Sequence, residues 1–440
     1  MIFIEPDFCQ FLYCRQQRIG IYTYLAGYGK RISVALMKVK LGAPCWPEKT
    51  INTEFLYSVN IMTITLPSIK TAANILCGVV LAATLVSGVS ARELRLASGL
   101  PPLHPAHDPL YTDFQELLPE YSNGNLSGRL FGTEITTLGN MRAAILSGMV
   151  EVGLFLPSYF PADLPNFNLV GDLSMMGHRN PQVTAAAMTE YVVTCDDCQS
   201  EFKKLGVVYT NSHANPYSLL TTAPVTKPED LEGLRLRTAT PQHARWVEAM
   251  GGKAVTMTTG EAFEALSQRV IDGTVTSISD VISFNLGEVI SHITLLDMGT
   301  FHSLANHSVK NNVWQGLSVD DREALMKASI VANVRTTARW VEMVEEGKSV
   351  ARENGLKIIE PSETLIASTD EFKTQDLVTA AASSEERFDI VGAEEKIARF
   401  DALLNKWERL IAESEGSEEA IVALYESEIL SKVDPTTYGL

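Results

Sequence analysis

The sequence predicts an α/β protein whose main body is a mostly parallel β-sheet flanked by helices. From residue 92 to about residue 316, short apolar stretches alternate with longer stretches of helical periodicity, and this repetition is typical of parallel sheets. Beyond residue 316 the pattern is almost wholly helical, and residues 318–354 are enough to cross from one lobe to another. A chain of 440 residues, 45% of them hydrophobic, can build the cores of two or three domains.

Hydrophobic periodicity places the individual elements. Short apolar runs before turn residues predict strands, and apolar residues at every third or fourth position predict helices. The predicted strands are residues 94–97, 150–154, 207–209 and 234–237. The predicted helices are residues 106–119, 138–146, 181–204, 318–354, 394–410 and 418–432.

Residues 226–231 have the chemistry of a helix start. Thr226 is a capping residue, Pro228 stands in the first turn, and two acidic residues lie near the positive end of the helix dipole. Gly233 then ends this short helix before the strand 234–237.

The chain is acidic, with a formal net charge of -17. Such a surface repels nucleic acid and anionic lipid, so neither is expected as a partner. An acidic ligand is still compatible with it, because one buried arginine in a cleft can outweigh diffuse surface charge that salt screens.

The N-terminal region has the layout of an export signal. Lys70 precedes an apolar run that closes on the small residues Val89, Ser90 and Ala91. We predict a signal peptide over residues 62–91 with cleavage before Arg92; a membrane anchor is the alternative, which the small and polar residues at the end of the run disfavour. Residues 1–61 show neither helical nor strand periodicity, and we interpret them as a non-native upstream extension that the natural chain, starting at Met62, lacks.

Three consecutive blocks of sequence carry a family resemblance. Residues 223–237 read APVTKPEDLEGLRLR, residues 249–257 read AMGGKAVTM, and residues 260–273 read GEAFEALSQRVIDG. Their order and spacing resemble the DctP-type solute-binding proteins of TRAP (tripartite ATP-independent periplasmic) transporters. Residues 132–134, 147–153 and 311–318 resemble further blocks of that family.

The resemblance implies a type II-like, two-lobe periplasmic binding protein with a cleft between the lobes and a long lobe-spanning helix. The lobes would comprise residues 92–214 with 303–342, and residues 215–302 with 343–440 including the C-terminal helices. The implied function is capture of a small organic acid in the periplasm and delivery to the membrane permease subunits. A homodimer through the C-terminal helices stays open, and neither a cofactor nor a metal ion is expected.

Arg237 is the principal candidate for ligand binding. In the family the arginine that ends this strand grips the ligand carboxylate, and a planar guanidinium suits that role because it pairs bidentately and keeps its charge when desolvated. Some members have a second arginine twenty residues earlier, where this chain has Tyr217. Thr276 stands where sialic-acid-binding members have asparagine. Both departures indicate a less highly charged ligand, or one held by aromatic stacking.

Five further residues are weaker candidates for contact with a ligand. His104 lies in the loop after the first strand, where such folds admit ligand, although a loop histidine is as often solvated. Glu134 suits either a ligand amine or a helix cap. Phe155 and Tyr159 follow the strand 150–154 and could form either core or ligand wall, and Asp280 is a minor candidate.

Cys195 and Cys198 form a C-x-x-C pair. A zinc site would need a second pair, which the sequence after residue 91 lacks, and the two intervening aspartates disfavour a reactive thiolate. A structural disulfide is therefore predicted in an oxidising periplasm.

Two other functions compete with transport. A ligand-sensing module would use the same clamp, so the sequence does not separate sensing from transport. A periplasmic enzyme is less favoured, because the chain has no His-Glu-x-x-His site, no Gly-x-Ser-x-Gly elbow and no Walker loop.

Overall fold

A computed structural model describes residues 91–440 throughout, together with two strands nearer the N-terminus. Gly20–Tyr28 (β1) and Arg31–Val39 (β2) pair antiparallel, with Gly20 opposite Val39. These two strands differ from the expectation of no strand in residues 1–61, because both segments are rich in the β-branched and aromatic residues that favour strands. The predicted signal peptide lies outside the described residues except for Ala91.

Residues 90–440 form one compact unit in which two lobes can be distinguished by their sheets. Its strands are β3 (Arg92–Ala97), β4 (Leu126–Phe131), β5 (Val152–Phe155), β6 (Val207–Val208), β7 (Asn215–Pro216), β8 (Ser218–Thr221), β9 (Arg235–Thr238), β10 (Lys253–Thr256), β11 (Gly273–Thr276), β12 (His292–Thr294), β13 (Thr300–Phe301), β14 (Ala305–Lys310) and β15 (Lys357–Ile359).

The helices of this unit lie between and after these strands. They are α1 (Leu110–Tyr121), α2 (Met141–Ser147), α3 (Pro165–Gly171), α4 (Pro181–Val193), α5 (Asp196–Leu205), α6 (Pro241–Ala249), α7 (Ala262–Ser267), α8 (Asp280–Ser283), α9 (Asn311–Gln315), α10 (Val319–Glu353), α11 (Glu363–Phe388), α12 (Ala393–Glu413) and α13 (Glu418–Glu428).

Each lobe is built on one mixed sheet. The first lobe has the strand order β4-β3-β5-β14-β6, and the second has the order β10-β9-β11-β8-β12-β15. Pairs made within a lobe, such as β3 with β4 and β9 with β10, are parallel, as βαβ connections require. The strands β8 and β14 each arrive from the other lobe and pair antiparallel with their neighbours. The sheets are therefore less parallel than the sequence pattern suggests.

Two features join the lobes. The short strands β7 and β13 pair with each other antiparallel where the chain crosses between the two large sheets. Helix α10, with 35 residues and a length of roughly 50 Å, packs on α1 of the first lobe and on α8 and β15 of the second. This helix confirms the lobe-spanning element expected over residues 318–354. In the described part of the chain, no helix combines the length and apolarity needed to cross a membrane.

The structure interrupts two of the predicted helices. Residues 181–204 form two helices, α4 and α5, because the side chain of Cys195 accepts a hydrogen bond from the Cys198 amide and begins a new helix there. The segment 226–231 forms only the 3-10 turn Pro228–Leu231. The carboxylate of Asp230 accepts from the hydroxyl and the backbone amide of Thr226, so Thr226 donates rather than caps.

Helices α12 and α13 pack on the first lobe, which contradicts their predicted place in the second, whereas α11 contacts α6 of the second lobe as well as α3 of the first. Helix α12 lies along α4, and α13 packs on α10. At the centre of this contact Glu190, which is 4% exposed, accepts hydrogen bonds from Lys406, Lys432 and the indole of Trp407 at 2.6–2.9 Å. The error arises because an apolar helix face predicts burial but does not indicate which surface covers it.

Replacing Glu190 with glutamine should lower the free energy of unfolding at pH 7 by about 1.5–3 kcal/mol, the usual value of hydrogen bonds to charged groups. Burial raises the pKa of Glu190, but the hydrogen bonds from Lys406 and Lys432 outweigh it and the net shift is downward. This stabilisation is therefore present above the unfolded-state pKa and is lost as the pH falls through the folded-state pKa.

Urea unfolding of wild type and Glu190→Gln at pH 7 and in acid would measure this effect. Glu426→Gln is the matched control, because Glu426 pairs with Lys327 at 3.6 Å with both side chains largely exposed, and should change stability by less than about 1 kcal/mol. Equal stability of the two variants would contradict the role assigned to Glu190.

Candidate functional site

A cavity lies where the carboxyl ends of strands from both lobes meet, the position at which α/β sheets usually bind ligands. Its volume is about 40 Å³ of space open to the centre of a water molecule, which corresponds to three or four waters at roughly 10–15 Å³ each. Much of its wall is apolar and comes from Leu100, Leu138, Leu154, Leu156 and Leu304. The cavity therefore suits a small molecule with an apolar body.

Arg237 lies near the end of β9 and is wholly inaccessible to solvent. Its Nε donates to the carbonyl of Met257 at 3.1 Å, and Nη2 donates to the hydroxyl of Thr259 at 2.9 Å. Its Nη1 is buried without a hydrogen-bond partner, and no carboxylate of the described residues lies within 4.0 Å of the guanidinium. Arg237 is not itself a wall residue of the cavity, but its partner Thr259 is.

Tyr217 and Asp280 both line the cavity close to Arg237. The Tyr217 ring stacks between Phe301 at 5.2 Å and His243 at 5.6 Å, and its burial raises the pKa of the phenol. Burial also raises the pKa of Asp280, against the opposing effect of hydrogen bonds from Thr276 and Ser283. Thr276 thus supports Asp280 and does not reach the cavity wall.

Tyr159 connects the two lobes across the cavity. It follows β5 of the first lobe, and its hydroxyl accepts the backbone N–H of Thr259 from the second lobe at 3.3 Å. The Thr259 hydroxyl also accepts a hydrogen bond from Nη2 of Arg237. Two hydrogen bonds therefore connect the guanidinium of Arg237 in the second lobe to Tyr159 in the first lobe.

His104 lines the cavity between Phe284 of the second lobe and Trp340 of α10. Its Nδ1 accepts the backbone N–H of Ala106 at 3.1 Å, so the ring proton must be on Nε2. Burial, with a smaller contribution from His213, lowers the pKa of His104 to about 3. The ring is therefore a neutral donor at neutral pH.

Four polar wall residues, His213, Asn215, Thr259 and Trp340, are not predicted from the sequence. His213 stacks on Trp340 at 6.2 Å, and burial lowers its pKa to about 4 although a hydrogen bond to Asn306 opposes this. The indole N–H of Trp340 is buried without a partner. The signal that could have found His213 and Asn215 is the polar run 210–215, which directly follows a strand of an α/β pattern.

The structure does not bring Glu134 or Phe155 to the cavity. Glu134 is exposed in a turn, where its carboxylate accepts the backbone N–H of Gly132 at 2.9 Å. Phe155 is 1% exposed and stacks on Phe160 at 4.8 Å within the core of the first lobe. Of the predicted contacts, His104, Tyr159, Tyr217 and Asp280 line the cavity.

Cys195 and Cys198 are joined by a disulfide at the start of α5, away from the cavity wall. The described residues contain no group of three or more histidine, cysteine, aspartate or glutamate side chains that could hold a metal ion.

Comparison with known proteins places this two-lobe fold among solute-binding proteins. A TRAP solute-binding protein from a marine metagenome, specific for aromatic acid ligands and solved with 3-hydroxybenzoate, superposes with a TM-score of 0.64 at 18% identity, over 72% of this chain and 99% of that one. A TRAP solute-binding protein from Rhodoferax ferrireducens T118 with copurified benzoate gives a TM-score of 0.63 at 19% identity, over 73% and 99% of the two chains. At these identities the likeness establishes the fold alone.

The sequence itself establishes the family. The model for bacterial extracellular solute-binding protein family 7 (DctP) matches residues 96–381, well over half of the chain, so the protein belongs to that family, as the resemblance of residues 223–273 predicts. A solute-binding protein of Chromohalobacter salexigens is 32% identical over 143 residues, which are 32% of this chain and 41% of the relative. The alignments span about two fifths of the length of the first such relatives.

The low pKa of the cavity histidine His213 should make stability fall in mild acid. The unfolded state takes up a proton near pH 6.5 and the folded state only near pH 4, so this stabilisation is complete above pH 6.5 and is lost as the pH falls toward 4. From pH 7 to pH 5, wild type should lose about 2 kcal/mol more of its unfolding free energy than His213→Asn or His213→Gln. Denaturant unfolding at both pH values measures this, and parallel pH profiles would contradict it.

Proposed function

We propose that the protein is the extracytoplasmic solute-binding component of a TRAP transporter, which captures a small monocarboxylic acid in the cavity between its lobes and delivers it to the membrane permease. The observation that carries this proposal is the guanidinium of Arg237, which is fully buried beside the cavity with Nη1 unpaired. Asp280 and Glu261 interact with this cation electrostatically but do not pair with it directly. A ligand carboxylate would supply the hydrogen-bond partner that Nη1 lacks, and a buried charged group without such a partner is unfavourable.

The hydrogen bonds of Arg237 fix its guanidinium and leave Nη1 available for a ligand carboxylate. Nε and Nη2 are fixed by Met257 and Thr259, so the guanidinium loses little freedom when Nη1 pairs with an anion. The resulting charge-assisted hydrogen bond would form only when the lobes exclude water. Ligand binding and closure of the two lobes are thereby coupled as a two-state equilibrium.

The composition of the cavity wall supports an acid with a single carboxylate. No lysine or arginine is among the residues that line it, and Asp280 adds a carboxyl group to the wall. A second ligand carboxylate would be buried without a cation, which is unfavourable. Leucine and aromatic side chains instead suit an apolar ligand body, and solved proteins of this fold hold aromatic acids such as benzoate.

Export to the periplasm, with delivery to the permease subunits, is the role that family membership supports.

Substitution of Arg237 tests the proposal. Arg237→Gln should weaken binding of the cognate acid by about 2–5 kcal/mol, the cost of removing one partner of a buried charge pair. Calorimetric titration and ligand-induced melting shifts would be measured against a panel of aromatic acids, 2-oxo acids, sugar acids and C4-dicarboxylates. A ligand at 100-fold its Kd stabilises the protein by about 2.7 kcal/mol, which a melting shift reveals.

Arg235→Gln is the matched control on the same strand. Arg235 forms an ion pair with Asp272 at 2.8 Å and is 41% exposed, so its loss should leave affinity within about twofold. Unchanged affinity in Arg237→Gln would refute the assignment of the site. Failure of every carboxylate to bind wild type would refute the organic-acid function.

A further inference from the structure

A second set of polar atoms in the cavity has chemistry different from that of Arg237. His104, His213 and Trp340 all line the cavity, and both histidine rings contact the indole of Trp340. No hydrogen bond within the described chain engages Nε2 of either histidine or the indole N–H. Because all three residues line the cavity, their unengaged ring nitrogens are available to a bound molecule.

The hydrogen bonds behind His213 define which of its nitrogens carries the proton. Nδ1 lies 2.7 Å from Oδ1 of Asn306, and the amide of Asn306 donates to Oδ1 of Asn211 at 2.6 Å and of Asn333 at 3.0 Å. Because Asn306 Oδ1 is consequently the acceptor, Nδ1 of His213 donates to it. Nε2 of His213 therefore presents a lone pair and accepts.

Nε2 of His104 and the indole of Trp340 are hydrogen-bond donors, in contrast to Nε2 of His213. Nδ1 of His104 is an acceptor from the Ala106 backbone N–H, so its Nε2 carries a proton and donates. The indole of Trp340 can only donate. Two donors and one acceptor, none of them charged, consequently surround the same part of the cavity.

We propose that this set forms a hydroxyl subsite, so that the natural ligand is a hydroxylated monocarboxylic acid whose hydroxyl donates to Nε2 of His213 and accepts from Nε2 of His104 or the indole of Trp340. This inference rests on the proposed function of Arg237 as the carboxylate anchor. A hydroxyl both donates and accepts, and so satisfies the set. A carboxylate only accepts, so it would oppose the lone pair of His213 and find no cation there.

The subsite also predicts discrimination against the unsubstituted acid. Without a hydroxyl, the indole N–H of Trp340 would stay buried and unpaired, which is unfavourable by the desolvation of that group, and neither histidine Nε2 would gain a hydrogen bond from the ligand. We expect a hydroxylated ring acid to bind about 10- to 100-fold more tightly than its unsubstituted parent.

The test compares ligands that differ in one substituent. Binding of benzoate, 3- and 4-hydroxybenzoate, and benzene-1,3- and 1,4-dicarboxylate to the purified full chain is measured by calorimetry at pH 7. At least one hydroxybenzoate should bind about 10- to 100-fold more tightly than benzoate, and both dicarboxylates more weakly than benzoate.

Two substitutions at His213 separate its nitrogens. The amide of His213→Asn can still donate to Asn306 but has no atom at the Nε2 position, so the ratio of hydroxybenzoate affinity to benzoate affinity should fall to about one. His213→Gln places an amide oxygen near Nε2 and should keep part of the preference. Trp340→Phe, which removes only a donor, provides a second variant if His213→Asn does not fold and should reduce the preference several-fold.

The outcomes distinguish this inference from the function on which it rests. Hydroxybenzoates that bind no more tightly than benzoate, a dicarboxylate that binds best, or a preference unaltered in His213→Asn or Trp340→Phe would each overturn the hydroxyl subsite while acid binding through Arg237 stands. If no acid binds to wild type, the proposed function fails and the subsite fails with it.

Discussion

Arg237 holds a permanent positive charge inside the protein, at the end of β9, where no water reaches it. Within the described residues it has neutral partners for Nε and Nη2 and none for Nη1. Such an arrangement is unfavourable unless an anion completes it, because desolvating a charge is expensive and neutral hydrogen bonds recover only part of that free energy. A cleft arranged in this way is therefore favoured when an anion is bound and disfavoured when it is empty, which is the property that a binding protein needs in order to open again.

The elements that join the two lobes also line the cavity beside this charge. The chain passes between the lobes through β7, β13 and α10, and each of these elements supplies residues to the cavity wall: Asn215, Phe301 and Trp340. Residues at the junction of the lobes are therefore also residues of the cavity wall. The hydrogen bond from Thr259 to Tyr159 adds a direct link between the second lobe and the first.

Local pattern was sufficient for much of the fold. The helix 319–353 begins with Ser318 as a side-chain cap and was predicted to within a few residues, because its capping and its periodicity are properties of adjacent residues. The break after Val193 is not predicted, because it depends on the hydrogen bond from the Cys198 amide to the side chain of Cys195, which starts a new helix and leaves no trace in the hydrophobic pattern. The predicted position of α12 is wrong because either lobe could have covered its apolar face, which includes Trp407. In the structure the indole of Trp407 donates to the buried carboxylate of Glu190 on α4, in the first lobe.

By itself the sequence determined the family, the alternation of strands and helices, and Arg237 as the residue of interest, because each depends on residue type at short spacing. Only the tertiary structure decided that Nη1 of Arg237 is left unpaired and that His104, His213 and Trp340 come together at one cavity. These residues are more than 100 positions apart in the chain. Which nitrogen of each histidine ring donates depends on the N–H that His104 accepts from Ala106 and on the bond that His213 donates to Asn306, and periodicity encodes neither. The ligand-binding chemistry of this protein is therefore a property of packing, whereas its fold class is a property of pattern.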